Sequence, residues 1–161
     1  ILIIEGIHGL NPKTSAYIPP DAKYKIYINA LTHMNLDSHN RIPTSDYRLI
    51  RRIARDHQSR GWDAKSTISF WKNVRDNEDK FIYPFQEETN MIFNTSMVYE
   101  LSILKKIVIP LLDQVPMNDP TYLEANRLKK LLEYFEDGDE KAVPKSSILA
   151  EFLGTSIFDV G

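Results

Sequence analysis

The stretch SDYRLIRRIARDHQSRG, from Ser45 to Gly61, sets the reading of the fold. Successive residues of an α-helix are about 100° apart, so Leu49, Ile50, Ile53 and Ala54 form one apolar stripe. Arg48, Arg51, Arg52 and Arg55 fall together on the opposite side, and Arg60 follows one turn later, just before Gly61. A second helical pattern covers about 63–79. Working outward, YKIYI at Tyr24–Ile28 reads as a strand on the upstream side, and NMIFNT at Asn90–Thr95 as a strand on the downstream side. The chain opens with four aliphatic residues, Ile1–Ile4, ended by Glu5-Gly6. Such a continuous run reads as a strand buried on both faces. Asn11–Asp21, with Pro12, Pro19 and Pro20, reads as a loop or broken helix. Strands separated by helical stretches predict an α/β fold with about three parallel strands flanked by helices.

From residue 97 onward the pattern is helical. Ser96 is placed to cap a helix to about Val115, with Leu101, Leu104, Val108, Leu111 and Val115 on one side and a kink at Pro110. Asp119-Pro120 reads as a cap followed by proline in the first turn of a helix that carries Leu128, Leu131, Leu132 and Phe135. Ser146 or Ser147 starts a last short helix, stopped at Gly154. We therefore expect one domain over 1–161, with an α/β core part at 1–96 and a C-terminal helical appendage at 97–161. About three strands with an exposed sheet edge make an incomplete fold. A chain that begins at Ile1 inside an apolar run is expected to be a piece of a longer protein.

Composition limits the function classes. The 161 residues are 42% hydrophobic and 26% charged, with a formal net charge of −2, as in an ordinary folded globular chain. There is no cysteine, hence no disulfide and no thiolate nucleophile or metal ligand. No apolar run approaches the roughly 20 residues of a membrane span, and no signal-peptide pattern is seen. These features predict a cytoplasmic protein with no membrane partner. Near-neutral charge also speaks against a nucleic-acid partner, since such domains usually carry a basic excess.

Arginine repeated along one helix stripe gains no internal pairing. Each guanidinium is a planar donor fork that matches phosphate oxygens. One reading is a polyphosphate clamp. The other is a solvated face whose arginines pair with the acids of residues 76–88. Glu5 stands where a strand is expected to end, and ligands of open α/β sheets collect at such ends. A carboxylate there can hold Mg²⁺, usually through water. Together these features suggest phosphoryl transfer, which needs cations and Mg²⁺ around the transferring group. The usual phosphate cradle, G-x-x-x-x-G-K-[ST], is missing. In the nearest match, Gly9–Thr14, Pro12 stands where the second glycine is required and lacks the N–H the cradle uses.

Glu5-Gly6-Ile7, RLIRRIARD at Arg48–Asp56 and Arg60-Gly61 resemble uridine kinases and their phosphoribulokinase-like relatives. Pro84-Phe85 with Asn90–Thr95 looks like that family's last core strand. The likeness extends to a bacterial branch of long nucleoside kinases, whose kinase domain follows modules similar to parts of threonyl-tRNA synthetase. HNRIPTSD at His39–Asp46 and SSILAEFLG at Ser146–Gly154 look typical of that branch. The resemblance implies a partial P-loop kinase fold with a lid at about 45–80. It implies ATP and Mg²⁺ as cofactors, and transfer of the γ-phosphate to a sugar hydroxyl of a nucleoside or similar small substrate. Glu5 matches the acid that assists Mg²⁺. Arg52 matches a lid-base arginine near the acceptor nucleoside. Arg55 and Arg60 match arginines that hold ATP phosphates. Arg48 and Arg51 match the pattern without an assigned role.

This sequence departs from the family at three places. The P-loop and the general-base aspartate, which lie upstream in the family, are not in this chain. The missing N-terminal half is therefore an expected partner, and the isolated chain is expected to be inactive. Trp62 stands where ordinary uridine kinases carry an arginine that touches the nucleoside, which puts uridine as acceptor in question. Residues 29–46 form a longer link than in those enzymes. The alternative functions are a nucleic-acid-binding module built on the arginine helix, and a regulatory or oligomerisation module built on the helices after residue 96, with a homo-oligomer as its product. Phe70, Trp71 and Phe81 are expected in the core. His33 and His39 are too far apart for a helical metal pair, His39 and Arg41 read as surface residues, and His8 lies close behind Glu5 in sequence.

Overall fold

The structure is a computed structural model that describes residues 1–158. The chain divides into two compact units, one formed by Ile1–Leu31 and Lys72–Thr95, the other by Thr32–Trp71 and the residues from Ser96 onward.

The first unit holds a two-stranded parallel sheet of β1 (Ile26–Asn29) and β2 (Met91–Asn94), in the register Ile26 to Met91 through Asn29 to Asn94. A sheet this small is marginal by itself, and two asparagines close its ends. The Asn90 side chain accepts from the Lys25 N–H at 2.8 Å. Asn94 accepts from the Leu31 N–H at 2.9 Å and donates to the Leu31 carbonyl at 2.8 Å. Tyr27 is buried, whereas all four residues of β2 are exposed. The strand expected at Ile1–Ile4 is not formed, and the sheet has two strands among the described residues rather than three. A strand exists only by pairing with a neighbouring backbone. Ile1–Ile4 forms no strand and stays exposed.

The second unit is helical. It contains α1 (Thr44–Arg60), the start of α2 (Ala64–Phe81), α3 (Glu100–Leu112), α4 (Tyr122–Glu133) and α5 (Ile148–Phe152). The apolar stripe of α1 is its core face: Leu49, Ile50, Ile53 and Ala54 are all buried. α1 packs on α3 and α5, and α3 packs on α4, with Leu101, Leu104 and Val108 of α3, Leu128 and Leu132 of α4, and Leu149 of α5 all buried. Each fully buried aliphatic side chain favours folding by about 1.5–3 kcal/mol. The helix expected from Ser96 to Val115 is shorter at both ends, with Tyr99 as its N-cap, and it stops soon after Pro110, whose missing N–H removes a ladder bond. Asp119 accepts from the Thr121 N–H at 2.9 Å, and α4 starts after that turn. Ser147 caps α5, accepting from the Leu149 N–H at 3.2 Å, and Gly154 ends that turn at φ +68°.

Polar clasps join these helices. Asp46 of α1 receives both Nη atoms of Arg127 of α4, at 2.6 and 2.8 Å. Arg51 does not lie on an open face, because α3 and α5 cover it: it is 8% exposed, 2.8 Å from the fully buried Glu100. Its guanidinium carbon stands 4.9 Å from the centre of the Phe152 ring. The Tyr47 hydroxyl donates to the other Glu100 oxygen and accepts from the Met97 N–H at 3.1 Å.

Breaking a buried ion pair from one side leaves an uncompensated charge, so Arg51→Ala should cost about 3–5 kcal/mol in urea unfolding. A loss within error of zero would show that Glu100 does not need this partner. Burial raises the Glu100 carboxyl above its usual 4.5, opposed by the Arg51 charge. The folded chain thus holds this proton more tightly than the unfolded chain. Glu100 favours folding below pH 4.5 and loses that contribution as pH rises through its folded value. Unfolding of Glu100→Gln from pH 4.5 upward should lack this downward contribution; identical pH slopes in variant and wild type would refute it.

Candidate functional site

The C-terminal half of α1 gathers three of the sequence-derived site residues around one acid. Residues 52, 56 and 60 are four apart, so they share a helix face. Arg52 Nε lies 3.0 Å from Asp56 Oδ2, and Arg60 Nη1 lies 2.8 Å from Asp56 Oδ1. Arg55 Nε is 3.9 Å from the same Oδ1. Thr67, buried in α2, donates to Asp56 Oδ2 at 3.4 Å. Asp56 is fully buried, whereas the side chains of Arg55 and Arg60 are 39% and 47% exposed. Three cations face Asp56, with Glu151 also acting on Arg55, so the cluster keeps an excess of positive charge. The C-terminal end of the helix dipole favours that charge. Burial draws the Arg55 guanidinium below the usual arginine range, Asp56 opposes this, and Arg52 and Arg60 add to it.

The chain then turns sharply. Gly61 takes a left-handed conformation at φ +65° and ψ +22°, which glycine adopts without a Cβ penalty. The Trp62 N–H bonds back to the Asp56 carbonyl at 3.1 Å, and the Asp63 side chain accepts from the Ser66 N–H at 2.8 Å to start α2. Trp62 and Phe70 meet edge to face, with ring centres 6.2 Å apart. The Arg60 guanidinium lies 6.0 Å from the Trp62 ring centre, that of Arg52 5.9 Å from Phe70, and that of Arg48 5.8 Å from Trp71. Phe70, expected in the core, is 44% exposed because it faces this cluster.

Within the second unit these arginines have acids close by that lie on α1 and α3. Arg51 pairs with Glu100, and Arg52, Arg55 and Arg60 share Asp56. Asp56 was not singled out from the sequence, although its spacing four residues from both Arg52 and Arg60 is visible there. Glu5 belongs to the first unit, exposed beside Gly6. In that unit His8 packs edge to face on Phe81, with centres 5.5 Å apart. His39 and Arg41 lie in the loop before α1, where the His39 N–H bonds to Asp37 at 2.8 Å and Arg41 donates to the Thr32 carbonyl.

Residues 1–102, more than half of the chain, match the model of the phosphoribulokinase/uridine kinase family. The chain belongs to this family of kinases. Among curated proteins and among solved structures none matches it significantly. The matched range includes Glu5, all of α1 with its arginines, and both strands.

Asp56→Asn keeps the size of the side chain and removes the charge that three arginines share. It should lower stability by about 3 kcal/mol, measured by urea unfolding. An unchanged unfolding midpoint would mean that other groups hold Arg52 and Arg60.

Proposed function

We propose that this chain is the C-terminal part of an ATP-dependent kinase that transfers the γ-phosphate to a sugar hydroxyl of a nucleoside-like acceptor. The observation that carries this reading is the Asp56-centred cluster, in which Arg60 is hydrogen-bonded to Asp56, Arg55 stands 3.9 Å from it, and both stay partly exposed. A guanidinium has five N–H donors, and Asp56 occupies only part of that capacity. The donor set fits a polyphosphate, and the uncompensated charge favours one.

In this reading Arg55 and Arg60 hold the ATP phosphates and neutralise charge that grows during transfer, and Arg52 faces the acceptor. Glu5 assists Mg²⁺. No group of three or more histidine or acidic residues suited to a metal occurs among the described residues. A single carboxylate fits an ion that keeps water and phosphate oxygens as its other ligands. ATP with Mg²⁺ supplies the phosphoryl group and its charge-neutralising ion. The arginines then fix the phosphates at the moment of transfer without themselves bonding covalently. The helices at about 45–80 form a lid, residues 97–161 an appendage, and the P-loop and general base come from sequence outside this chain. No helix among the described residues is long and apolar enough to cross a membrane, and a cytoplasmic location goes with this reading.

The isolated chain should show no turnover with ATP and uridine. In an enzyme that unites this chain with a phosphate cradle, Arg55→Ala and Arg60→Ala should each lower kcat/KM by about 10³-fold, as loss of a clamp arginine does. Unchanged kcat/KM in both variants, or robust turnover by the isolated chain, would overturn the reading.

A further inference from the structure

We infer that Trp62 is a positioning residue that aims the Arg60 guanidinium, with Phe70 bracing Trp62 and doing the same for Arg52. This rests on the reading of the arginines as phosphate ligands, but it concerns residues to which that reading gives no role. A long arginine side chain has many rotamers, and holding it costs entropy that binding must otherwise supply. Here Arg60 is held from two directions. Its Nη1 reaches Asp56 at 2.8 Å, and its guanidinium carbon lies 6.0 Å from the Trp62 ring centre, the range in which an aromatic face attracts a cation. The donors not facing Asp56 remain for a ligand.

Trp62 can serve this way because it is itself fixed. Its N–H is bonded to the Asp56 carbonyl after the left-handed Gly61, and Asp63 starts α2 immediately after it. Phe70 meets its ring edge to face at 84°, and Phe70 also lies under Arg52, which reaches Asp56 at 3.0 Å. Trp62 and Phe70 are 37% and 44% exposed. Aromatic rings left this open contribute less to a core than to whatever they face, and each faces a guanidinium.

The test titrates inorganic tripolyphosphate into the 161-residue chain at low salt by calorimetry. Wild type should bind, and Arg60→Ala should bind more weakly. Trp62→Leu should weaken binding about two- to five-fold, the size of an exposed cation–π contact, and Trp62→Phe should restore it. Trp62→Leu added to Arg60→Ala should cause no further loss, because the ring acts only through that arginine. Should Trp62→Leu fail to fold, Trp62→Met takes its place. Wild-type affinity in the folded Trp62 variant, or a loss that adds in full to that of Arg60→Ala, would overturn the inference and leave the phosphate reading standing. Equal affinity of wild type and both Arg55→Ala and Arg60→Ala would remove the phosphate reading and the inference with it.

Discussion

A helix covered along most of its length and carrying arginine at 48, 51, 52, 55 and 60 requires carboxylates placed with it. Desolvating a guanidinium costs several kcal/mol unless an opposite charge is close. Two buried acids meet that requirement in different ways. Glu100 faces Arg51 at 2.8 Å, and the Phe152 ring lies against the Arg51 guanidinium. Asp56 is shared among Arg52, Arg55 and Arg60, each of which is more exposed than Arg51. The first arrangement neutralises a cation and locks helices together. The second tethers cations and leaves them charged toward solvent. One arginine repeat thereby yields both a buried, helix-joining pair and a partly exposed charged cluster, and the placement of two carboxylates divides them.

Much of this was legible in the sequence. The 3.6-residue period gave Leu49, Ile50, Ile53 and Ala54 as the core face of α1, and the stop at Gly61 follows from the need for a left-handed residue. Ser147 and Gly154 bounded α5 for similar local reasons. The cluster of Arg52, Arg55 and Arg60 could be placed on one helix, but its organising acid was overlooked. Readings that depend on partners distant in the chain fared worse. The burial of Arg51 follows from Glu100 on another helix, which periodicity within α1 does not reveal. Ile1–Ile4 has the residues of a strand, yet pairing requires a neighbour, and composition cannot supply one. Phe70 has a core residue's chemistry, but it lies beside the Trp62 ring and the Arg52 guanidinium.

The sheet of the first unit carries a consequence of another kind. Met91, Ile92 and Phe93 are each about half exposed, uncharged and rich in strand propensity, and β2 has one strand neighbour among the described residues. An uncovered strand edge of this composition is a template for any other extended chain, including another molecule's copy of itself. Asn90 and Asn94 interrupt the apolar run on either side, and Glu88, paired with Lys25 at 3.1 Å, sets charge next to its start. These residues act as gatekeepers against stacking. The colloidal behaviour of this unit thus depends on its exposed apolar segments, Met91–Phe93 and Ile1–Ile4, and on the polar residues that flank the first of them.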